Sequence, residues 1–422
     1  MLDIKFIREN KEIISESAKK KRVEIDLDKL IALDEKRREL LAKTENLKSR
    51  QNQANEGVVK LASDPEQKQK LIEEMQALKK EFQDGESELK EVMKEWQGLM
   101  LAVPNIPDVS VPEGKSEEDN VELKKWGEIP KFDFPVKDHV ELMTSNEMVD
   151  FERGTKAHGF RGYFLKNDGA RLSWAVWNYA RDFFSGEGVE EIIAPSIVKK
   201  EYFYGTGHLP SEAEDLFETQ DGDYLSGTAE VPMMAYHSGE ILKKSDLPKR
   251  FLAFSPCYRR EAGSHGKDTK GILRVHEFYK FEQLILCEAS HEESEKLHEE
   301  ITRKSEEFIE SLGLPYRRLI VCTGDLSSSK VKQYELELWI PSQEKYREIG
   351  SASYYHDFQT RRFNIRYDDN GAKRYAHSLN NTAIPTPRVL ISIVENFQQA
   401  DGKILVPKVL RPYLSGREFI GL

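Results

Sequence analysis

Residues 71–99, LIEEMQALKKEFQDGESELKEVMKEWQGL, contain the clearest periodic pattern in the chain. The positions that alternate by three and four residues are Leu71, Met75, Leu78, Phe82, Gly85, Leu89, Val92, Trp96 and Leu99, and eight of these nine are apolar. An apolar repeat of about 3.5 residues is typical of a coiled-coil seam. The segment is therefore predicted to be one long helix whose apolar stripe packs against a second helix.

A weaker copy of the same repeat precedes this segment. It runs through Leu30, Leu33, Arg37, Leu40, Thr44, Leu47, Gln51 and Ala54, of which five are apolar. The segments NEG at 55–57 and SDPE at 63–66 interrupt the pattern between the two copies, and Pro65 suits the first turn of a helix. We predict an antiparallel helical hairpin at about 28–100. Two strips of an ordinary helical bundle, or a coil that dimerises, are the alternatives.

The overall charge is acidic, whereas part of the predicted hairpin is slightly basic. The chain has 422 residues, with 63 lysines and arginines against 74 acidic residues, and a net charge of −11. This length allows two or three domains, and the acidic balance argues against a general polyanion binder. Residues 34–50 nevertheless carry six basic and four acidic residues, a local excess that can supply phosphate contacts.

Cysteine usage and hydropathy favour a cytoplasmic protein. Cys257, Cys287 and Cys322 are far apart in the sequence, so neither a disulfide framework nor a cysteine zinc site is expected. The first residues, MLDIK, are charged too early for a signal peptide, and no apolar run approaches the ~20 residues of a membrane span. We therefore expect no membrane association and no zinc.

Changes in composition divide the chain into three parts. Residues 1–102 contain the predicted hairpin, and residues 103–135 are rich in proline and acidic residues and are predicted to form a linker. In residues 136–422, short β-like runs alternate with helical stretches, and turn residues separate many of the runs. This texture predicts an α+β domain with a mixed, mainly antiparallel sheet rather than a doubly wound parallel sheet.

Charged residues are concentrated in two of the predicted strands. The first is FSPCYRRE at 254–261, and the second is ILRVHEFYKFE at 272–282 after a polar loop with three glycines. Arg259, Glu261, Arg274 and Glu282 lie on or beside these strands. An arginine amid apolar strand residues is costly unless it meets an anion, and together with Phe278 it can hold a phosphate and stack a base. A salt-bridge ladder on an edge strand is the alternative.

Three further segments carry polar groups at suggestive spacings. Thr228 and Glu230 are two residues apart, which would point both side chains the same way on a strand, where they could receive an ammonium group. In EIGS at 348–351, Glu348 and Ser351 offer the oxygen ligands that Mg²⁺ prefers. Arg388 begins an apolar helical run. The segment GTGH at 205–208 lacks the third glycine of a dinucleotide-binding loop.

Taken together, these segments resemble bacterial-type seryl-tRNA synthetases, which are class II aminoacyl-tRNA synthetases. The resemblance runs nearly end to end and includes the hairpin, YGTGHLP at 204–210, EDLF at 214–217, TAE at 228–230, YRRE at 258–261 and EIGS at 348–351. Motif 1 of the class corresponds to the helix from Leu172 into a strand that ends at Pro195, and motif 3 corresponds to residues 379–397. The resemblance implies a class II catalytic domain with a two-helix coiled-coil arm.

The resemblance also implies an activity, cofactors and partners. The chain is expected to activate L-serine with ATP and Mg²⁺ to seryl-adenylate and to transfer serine to the 3′ end of tRNA(Ser), and of tRNA(Sec) where one exists. The hairpin would recognise the long variable arm of the tRNA, and motif 1 around Pro195 would form a homodimer interface. The alternatives are a non-catalytic tRNA-binding paralogue, an amino-acid:carrier-protein ligase and a plain coiled-coil scaffold.

The site residues that the resemblance implies fall into overlapping sets. Serine would be bound by Thr228, Ala229, Glu230, Arg259, Glu282, Asn380 and Thr382. ATP would be bound by Arg259, Arg260, Glu261, Arg274, Val275, Phe278, Glu348, Ile349, Gly350, Ser351 and Arg388. Glu348 and Ser351 would hold Mg²⁺, and Arg259, Arg388 and Glu348 would act directly in catalysis. Motif 3 reads NNTAIPTPR at 380–388 rather than the glycine-rich run of many bacterial members, and Thr382 keeps the hydroxyl.

Overall fold

The computed structural model describes residues 1–60, 65–263 and 268–422. The chain divides into two units, Met1–Pro104 and Asn105–Leu422. The predicted break at 63–64 and the positions 264–267 of the predicted polar loop lie outside the described residues.

The first unit contains the predicted hairpin. Its helices are α1 (Ile4–Glu9), α2 (Lys11–Lys20), α3 (Leu27–Lys60) and α4 (Pro65–Ala102). Leu40 and Leu47 of α3 and Leu78 and Val92 of α4 are buried, as the repeat predicts. Helix α4 begins at the predicted proline, whereas α3 continues through the predicted interruption at 55–57. A glycine inside a helix costs only about 1 kcal/mol, which packing along a long seam readily offsets.

A ladder of ion pairs fixes the antiparallel register of α3 and α4. The pairs are Lys29–Glu95 at 3.2 Å, Lys36–Glu88 at 2.7 Å, Lys43–Glu81 at 3.1 Å and Arg50–Glu74 at 3.9 Å. Each step of seven residues forward in α3 matches a step of seven residues backward in α4. These side chains are about half exposed, so each pair is worth only about 0.2–1 kcal/mol and mainly selects the register.

The polar positions of the seam also have structural roles. A Cβ atom placed on Gly85 would lie 3.1 Å from Cγ2 of the buried Thr44, so the glycine makes room for the threonine. The guanidinium of Arg37 lies 4.7 Å from the centre of the Trp96 ring. The same guanidinium donates to the fully buried carboxylate of Asp34 at 2.7 Å.

The second unit is built on strands with intervening helices. Its elements up to residue 258 are β1 (Val121–Trp126), α5 (His139–Ser145), β2 (Val149–Asp150), α6 (Phe151–His158), β3 (Phe164–Leu165), α7 (Asn167–Phe184), β4 (Val189–Ile193), β5 (Ile197–Val198), α8 (Lys200–Thr206), β6 (Phe217–Glu218), β7 (Tyr224–Leu225), α9 (Glu230–Tyr236), β8 (Ile241–Lys243) and β9 (Lys249–Tyr258). The remaining elements are β10 (Glu277–Cys287), α10 (His291–Leu312), β11 (Tyr316–Ile320), β12 (Lys332–Ile340), β13 (Lys345–His356), α11 (Phe358–Phe363), β14 (Arg366–Asp369), β15 (Ala372–Tyr375), β16 (His377–Thr386), α12 (Arg388–Asn396), β17 (Ile404–Leu405) and β18 (Phe419–Ile420).

The main sheet has eight strands in the order β1-β11-β12-β13-β16-β10-β9-β4. Every pairing in it is antiparallel except that of β4 with β9. This confirms the predicted mixed, mainly antiparallel sheet and the α+β class. Strand β1 falls inside the predicted linker and forms one edge of the sheet. The sequence of β1 is charged and only partly apolar, so it did not indicate a strand. An edge strand need not be apolar on both faces.

Strand alternation sends one set of side chains into the core and the other set to an open cavity. The core cluster joins Leu172 of α7, Phe308 of α10 and Ile391 of α12 to sheet residues such as Leu336. In β10, Phe281 packs edge-on against Trp177 of α7, with ring centres 5.9 Å apart. Its two neighbours at positions 280 and 282 point the other way and line the cavity.

The sequence features that argued against a dinucleotide-binding loop and against a membrane span belong to ordinary elements of this fold. GTGH at 205–208 spans the end of α8 and its left-handed cap at Gly207, where the backbone φ is +96°. Among the helices of the described residues, none combines the length and apolarity needed to cross a bilayer.

Candidate active site

A cavity of about 310 Å³ lies over the centre of the main sheet and collects most of the predicted site residues. The strands β10, β13 and β16, the first residue of α12 and the loops before α9 and β10 supply its walls. The predicted residues that line it are Thr228, Glu230, Arg259, Glu261, Arg274, Val275, Phe278, Glu282, Glu348, Ile349, Gly350, Ser351, Asn380, Thr382 and Arg388.

Two predicted residues are not among the residues that line the cavity. Ala229 is fully buried in an apolar cluster with Met233 and Phe251. The side chain of Arg260 is exposed, and its backbone N–H donates to the carbonyl of Asp215 at 2.9 Å. The structure therefore does not place these two side chains in the cavity.

Thr228 and Glu230 both face the cavity, but the predicted strand geometry is wrong. Strand β7 ends at Leu225, and Glu230 is the first residue of helix α9. The Thr228 hydroxyl accepts a hydrogen bond from the Glu230 N–H at 3.2 Å, which satisfies one of the free amides of the helix start. The two residues are thus brought together at the start of a helix rather than by strand alternation.

A buried lysine joins the residues at one end of the cavity. Lys280 is 5% exposed and donates from Nζ to Thr228 Oγ1 at 2.9 Å. It also forms an ion pair with the carboxylate of Glu282, which is 2% exposed. Thr228 Oγ1 lies 3.4 Å from Glu282 Oε2. Burial raises the pKa of Glu282, and the charge of Lys280 opposes that shift.

A second buried carboxylate is held by an amide. Gln359 of α11 donates from Nε2 to Glu230 Oε1 at 2.6 Å, and its own Oε1 accepts from the Ser378 hydroxyl at 2.8 Å. The Tyr355 hydroxyl donates to Asn380 Oδ1 at 3.2 Å, and burial raises the pKa of this tyrosine well above its usual value. This end of the cavity is therefore lined by fixed polar groups with two carboxylates.

Arginines dominate the other end of the cavity. The guanidinium of Arg388 donates to the backbone oxygens of Glu348 at 2.7 Å and Leu273 at 3.2 Å, and burial lowers its pKa. The guanidinium of Arg259 lies 5.4 Å from the centre of the Phe278 ring. A planar base that stacks on Phe278 would therefore displace Arg259 or use the opposite ring face.

Arg274 is engaged by carboxylates rather than held on a strand. Strand β10 begins at Glu277, so the predicted strand at 272–276 is a loop in the structure. Arg274 donates to Glu261 at 3.0 Å and to Asp268 at 3.2 Å, and Asp268 also forms an ion pair with Arg347. These arginines hold the pKa of Asp268 below its usual value despite the burial that opposes the shift.

The residues expected to hold Mg²⁺ fit such an ion by their donor chemistry. Glu348 and Ser351 present a carboxylate and a hydroxyl on β13, and Mg²⁺ commonly takes one or two protein oxygens besides water and substrate phosphates. Glu335 lies opposite Ser351 in the strand pairing. Burial and the nearby Glu348 raise the pKa of Glu335, and this crowding of carboxylates is a charge excess that a dication would offset.

Several residues that line or support the cavity are not among those predicted from the sequence. Lys280 and Tyr355 line it, and Gln359 acts through Glu230. Lys280 had a detectable signal, because it stands among apolar strand residues and precedes Glu282 by two positions, the spacing that places two side chains on one face. Gln359 had no detectable signal in the sequence, because it reaches the site from a helix that is distant along the chain.

Two family models match the chain, one in each unit. The model of the seryl-tRNA synthetase N-terminal domain matches residues 1–107. The model of the tRNA synthetase class II core domain (G, H, P, S and T) matches residues 216–397. The first therefore covers the helical hairpin, and the second covers most of the residues that line the cavity.

Relatives of known name match over nearly the full length. The serine–tRNA ligase of Deinococcus radiodurans is 44% identical, with 100% of this chain and 99% of the relative covered. That of Thermodesulfovibrio yellowstonii is 42% identical, with 98% and 99% covered. The crystal structure of seryl-tRNA synthetase from Pyrococcus horikoshii complexed with ATP has a TM-score of 0.88 at 35% identity and covers 100% of this chain and 99% of that chain.

Proposed function

We propose that this chain, which belongs to the seryl-tRNA synthetase family, uses the cavity over its main sheet for both steps of serine–tRNA ligation. Its activity is that of an ATP-dependent serine–tRNA ligase. The observation that carries the assignment of the cavity is that the serine set except Ala229 and the ATP set except Arg260 line one continuous space. A non-catalytic paralogue would not need Arg259, Glu261, Glu348 and Arg388 on the same walls.

In the first step the serine carboxylate attacks the α-phosphate of ATP and pyrophosphate leaves. A carboxylate is already a competent nucleophile, so the residues mainly align the reactants and neutralise charge. Arg259 lies 5.4 Å from the Phe278 ring centre and donates to the Gly227 carbonyl at 3.4 Å, and it would contact both the serine carboxylate and the α-phosphate. Arg388 and Arg274 would bind the remaining phosphate oxygens, and adenine would stack on Phe278.

Serine would be bound at the end that holds Thr228, Glu230 and Glu282. The two carboxylates suit a substrate with an ammonium group and a hydroxyl. Thr382 and Asn380 of β16 add polar atoms, and Thr382 is the cross-strand partner of Glu282. A site built to pair a hydroxyl rejects an analogue that lacks it, because buried polar groups would be left unpaired. Alanine should therefore be a poor substrate.

Glu348 and Ser351 would hold Mg²⁺ between the protein and the ATP phosphates. A bound Mg²⁺ supplies positive charge against the oxygens of the phosphate groups. Gly350 between these residues has no room for a side chain, since a Cβ there would lie 2.7 Å from Cβ of Thr382. The ATP wall and the serine wall are thereby kept in direct contact.

In the second step the terminal ribose hydroxyl of the tRNA attacks the adenylate carbonyl and AMP leaves. The substrate would be tRNA(Ser), and tRNA(Sec) where one exists, selected through its long variable arm by the α3–α4 hairpin. Most of the basic residues at 34–50 are already paired with carboxylates of their own helix or of α4. The pairs that Lys36, Lys43 and Arg50 make with α4 are about half exposed and weak enough to exchange for phosphates. All of these pairs together leave little unbalanced charge for unspecific RNA.

A charge swap tests the role assigned to the hairpin. The double variant K36E/E88K keeps the ion pair and the net charge but moves the positive end to the other helix. If α3 supplies phosphate contacts, the KM for tRNA should rise severalfold and the salt dependence of binding should become shallower. The serine-dependent ATP–pyrophosphate exchange should stay at the wild-type rate. An unchanged KM for tRNA would refute the assigned contact.

We also propose a homodimer in the cytoplasm. Trp174 of α7 and Ile193 of the edge strand β4 are 67% and 83% exposed, and Ile197 beyond Pro195 is 60% exposed. An exposed apolar edge of this kind is an aggregation hazard for a monomer and suits a second copy of the same chain. The free cysteines Cys257, Cys287 and Cys322 are compatible with a reducing compartment.

The decisive experiment measures the two steps separately. Serine-dependent ATP–pyrophosphate exchange should occur without tRNA, whereas alanine, cysteine and threonine should support much less of it. Charging should require a tRNA with a long variable arm, and the same tRNA with that arm deleted is the matched control. Loss of serine-dependent exchange in folded protein would overturn the assignment of the cavity. Equal charging of both tRNAs would overturn the assignment of the hairpin.

A further inference from the structure

One buried cation at the serine end of the cavity has no part in the roles assigned above. Lys280 lies in the middle of β10, is almost fully buried and contacts two residues of the proposed serine pocket. Burial of an ammonium group is costly unless it meets an anion and further hydrogen-bond acceptors. Lys280 has both, since it pairs with Glu282 and donates to Thr228.

The contacts of Lys280 determine the orientation of the Thr228 hydroxyl. A hydroxyl group has one proton and two acceptor lone pairs. Thr228 Oγ1 accepts from Lys280 Nζ at 2.9 Å and from the Glu230 N–H at 3.2 Å, which uses both lone pairs. Its proton is therefore left for Glu282 Oε2 at 3.4 Å, or for an acceptor that a substrate brings.

The same cation controls which hydrogen bonds Glu282 can make. An ionised carboxylate only accepts, whereas a protonated one also donates. The ionisable groups that surround Glu282 are Lys280 on its own strand, Glu230 of α9, Cys257 of β9, Arg259 after β9 and Tyr355 of β13. Burial and Glu230 favour protonation of Glu282, and Lys280 is the main cation that favours its ionised form.

We propose that Lys280 is a specificity-determining positioning residue, which keeps Glu282 as a pure acceptor and Thr228 in one orientation so that the pocket requires a hydroxyl donor on the amino acid. This inference rests on the proposed function, because it assumes that serine occupies this end of the cavity. Serine can donate its hydroxyl proton to Glu282. Alanine has no donor, and the thiol of cysteine is a weak one, so both leave the buried carboxylate unsatisfied.

A second buried lysine provides a matched control. Lys332 of β12 is 4% exposed and forms an ion pair with Glu295 at 3.4 Å, but it does not line the cavity. The variant K332M therefore removes a buried ammonium group of equal burial without touching the pocket. The variant K280R keeps the charge on a different geometry, and K280M removes it with little change in volume.

The experiment compares wild type, K280M, K280R and K332M in amino-acid-dependent ATP–pyrophosphate exchange. For K280M at neutral pH we expect the KM for serine to rise about tenfold or more, because a charged hydrogen-bond network is lost. The KM for ATP should change little. The preference for serine over alanine and cysteine should fall by a similar factor. K280R should recover much of the serine KM, and K332M should match wild type in both quantities.

A pH series separates this role from a merely structural one. Without Lys280 the pKa of Glu282 should rise further, so the acceptor form is populated only at higher pH. The serine KM of K280M should therefore worsen as the pH is lowered and approach that of wild type as the pH is raised. A selectivity for serine equal to wild type in folded K280M would overturn the inference. A defect that is independent of pH and shared equally with ATP would also overturn it. Absence of serine-dependent exchange in wild type would instead overturn the proposed function itself.

Discussion

Substitution of Gly350 by alanine tests whether the two walls of the cavity depend on one close contact. Gly350 lies on β13 between positions 349 and 351, which are proposed to bind ATP, and Thr382 lies against it on β16. A Cβ atom at position 350 would lie 2.7 Å from Thr382 Cβ and 2.8 Å from Thr382 Cγ2. Carbon atoms that are not bonded prefer about 3.5–4.0 Å, so the strands must separate locally by about 0.8 Å or more.

The expected consequence is a specific loss of activity with a moderate loss of stability. Overpacking of this kind typically costs about 1–3 kcal/mol, which a unit of this size tolerates. A displacement near 1 Å at groups that position a substrate can cost about 100-fold in rate. For Gly350→Ala we therefore expect kcat/KM for serine in the exchange reaction to fall by about 10- to 100-fold, while circular dichroism still shows a folded protein.

The same substitution at Gly98 is the control. Gly98 lies within α4, and a Cβ there would meet no atom within 4 Å. Alanine is the better helix former by about 1 kcal/mol, so Gly98→Ala should leave exchange unchanged and raise the stability of the first unit slightly. If Gly350→Ala exchanged at a rate within twofold of wild type, the contact with Thr382 would not hold the two walls, and the reasoning would be refuted.

Three further predictions follow from single contacts. The carboxylate of Asp168 accepts two hydrogen bonds of 2.6 Å from Arg417, which lower its pKa to about 2. Asp168→Asn should therefore destabilise the second unit by about 2 kcal/mol at neutral pH. In urea titrations this difference in stability should vanish as the pH falls from about 4 towards 2. Asp268→Asn removes the charge of the carboxylate that accepts from Arg274 and should lower the KM for ATP severalfold in the exchange assay. An unchanged KM would show that this ion pair does not compete with phosphate. Ile193→Lys places a charge on the exposed edge of β4 and should convert a dimer to a monomer in light scattering after gel filtration; a dimer that persists would exclude this edge as the interface.

The helical hairpin was predictable because its signal is local and repeated. Nine positions at the spacing of a coiled coil leave few other structures for residues 71–99. The ladder that sets the register was harder to see, since Lys36 and Glu88 are individually ordinary surface residues. Their relation is visible only after the antiparallel pairing is known, when a step of seven residues in one helix meets a step of seven in the other.

The site was predictable in its residue types but not in its local geometry. Thr228 and Glu230 reach the cavity, yet the structure has the start of a helix where a strand was expected. The spacing of two residues fits both, and β7 ends before Thr228 because the chain turns at Gly227. A Cβ at Gly227 would lie 3.2 Å from the Tyr258 carbonyl oxygen. Such contacts between backbone segments distant in the sequence produce no periodic pattern of residues. A strand was therefore predicted where the structure has the start of a helix.

The acidic net charge and the binding of polyanions can be reconciled through the partners of the basic residues. Arg274 is paired with Glu261 and Asp268, and Lys36 on the hairpin is paired with Glu88. A phosphate that binds at these positions must therefore displace a carboxylate, and the gain is the difference between two charge-assisted contacts rather than a full new one. A single stray phosphate gains little from this exchange. A ligand that displaces several carboxylates at once, in a fixed geometry, adds these small gains in binding free energy together. Its complementary shape contributes further binding free energy. Internal neutralisation of this kind favours ATP and a matching RNA over unspecific polyanions, and it makes the net charge of −11 consistent with a protein that binds both.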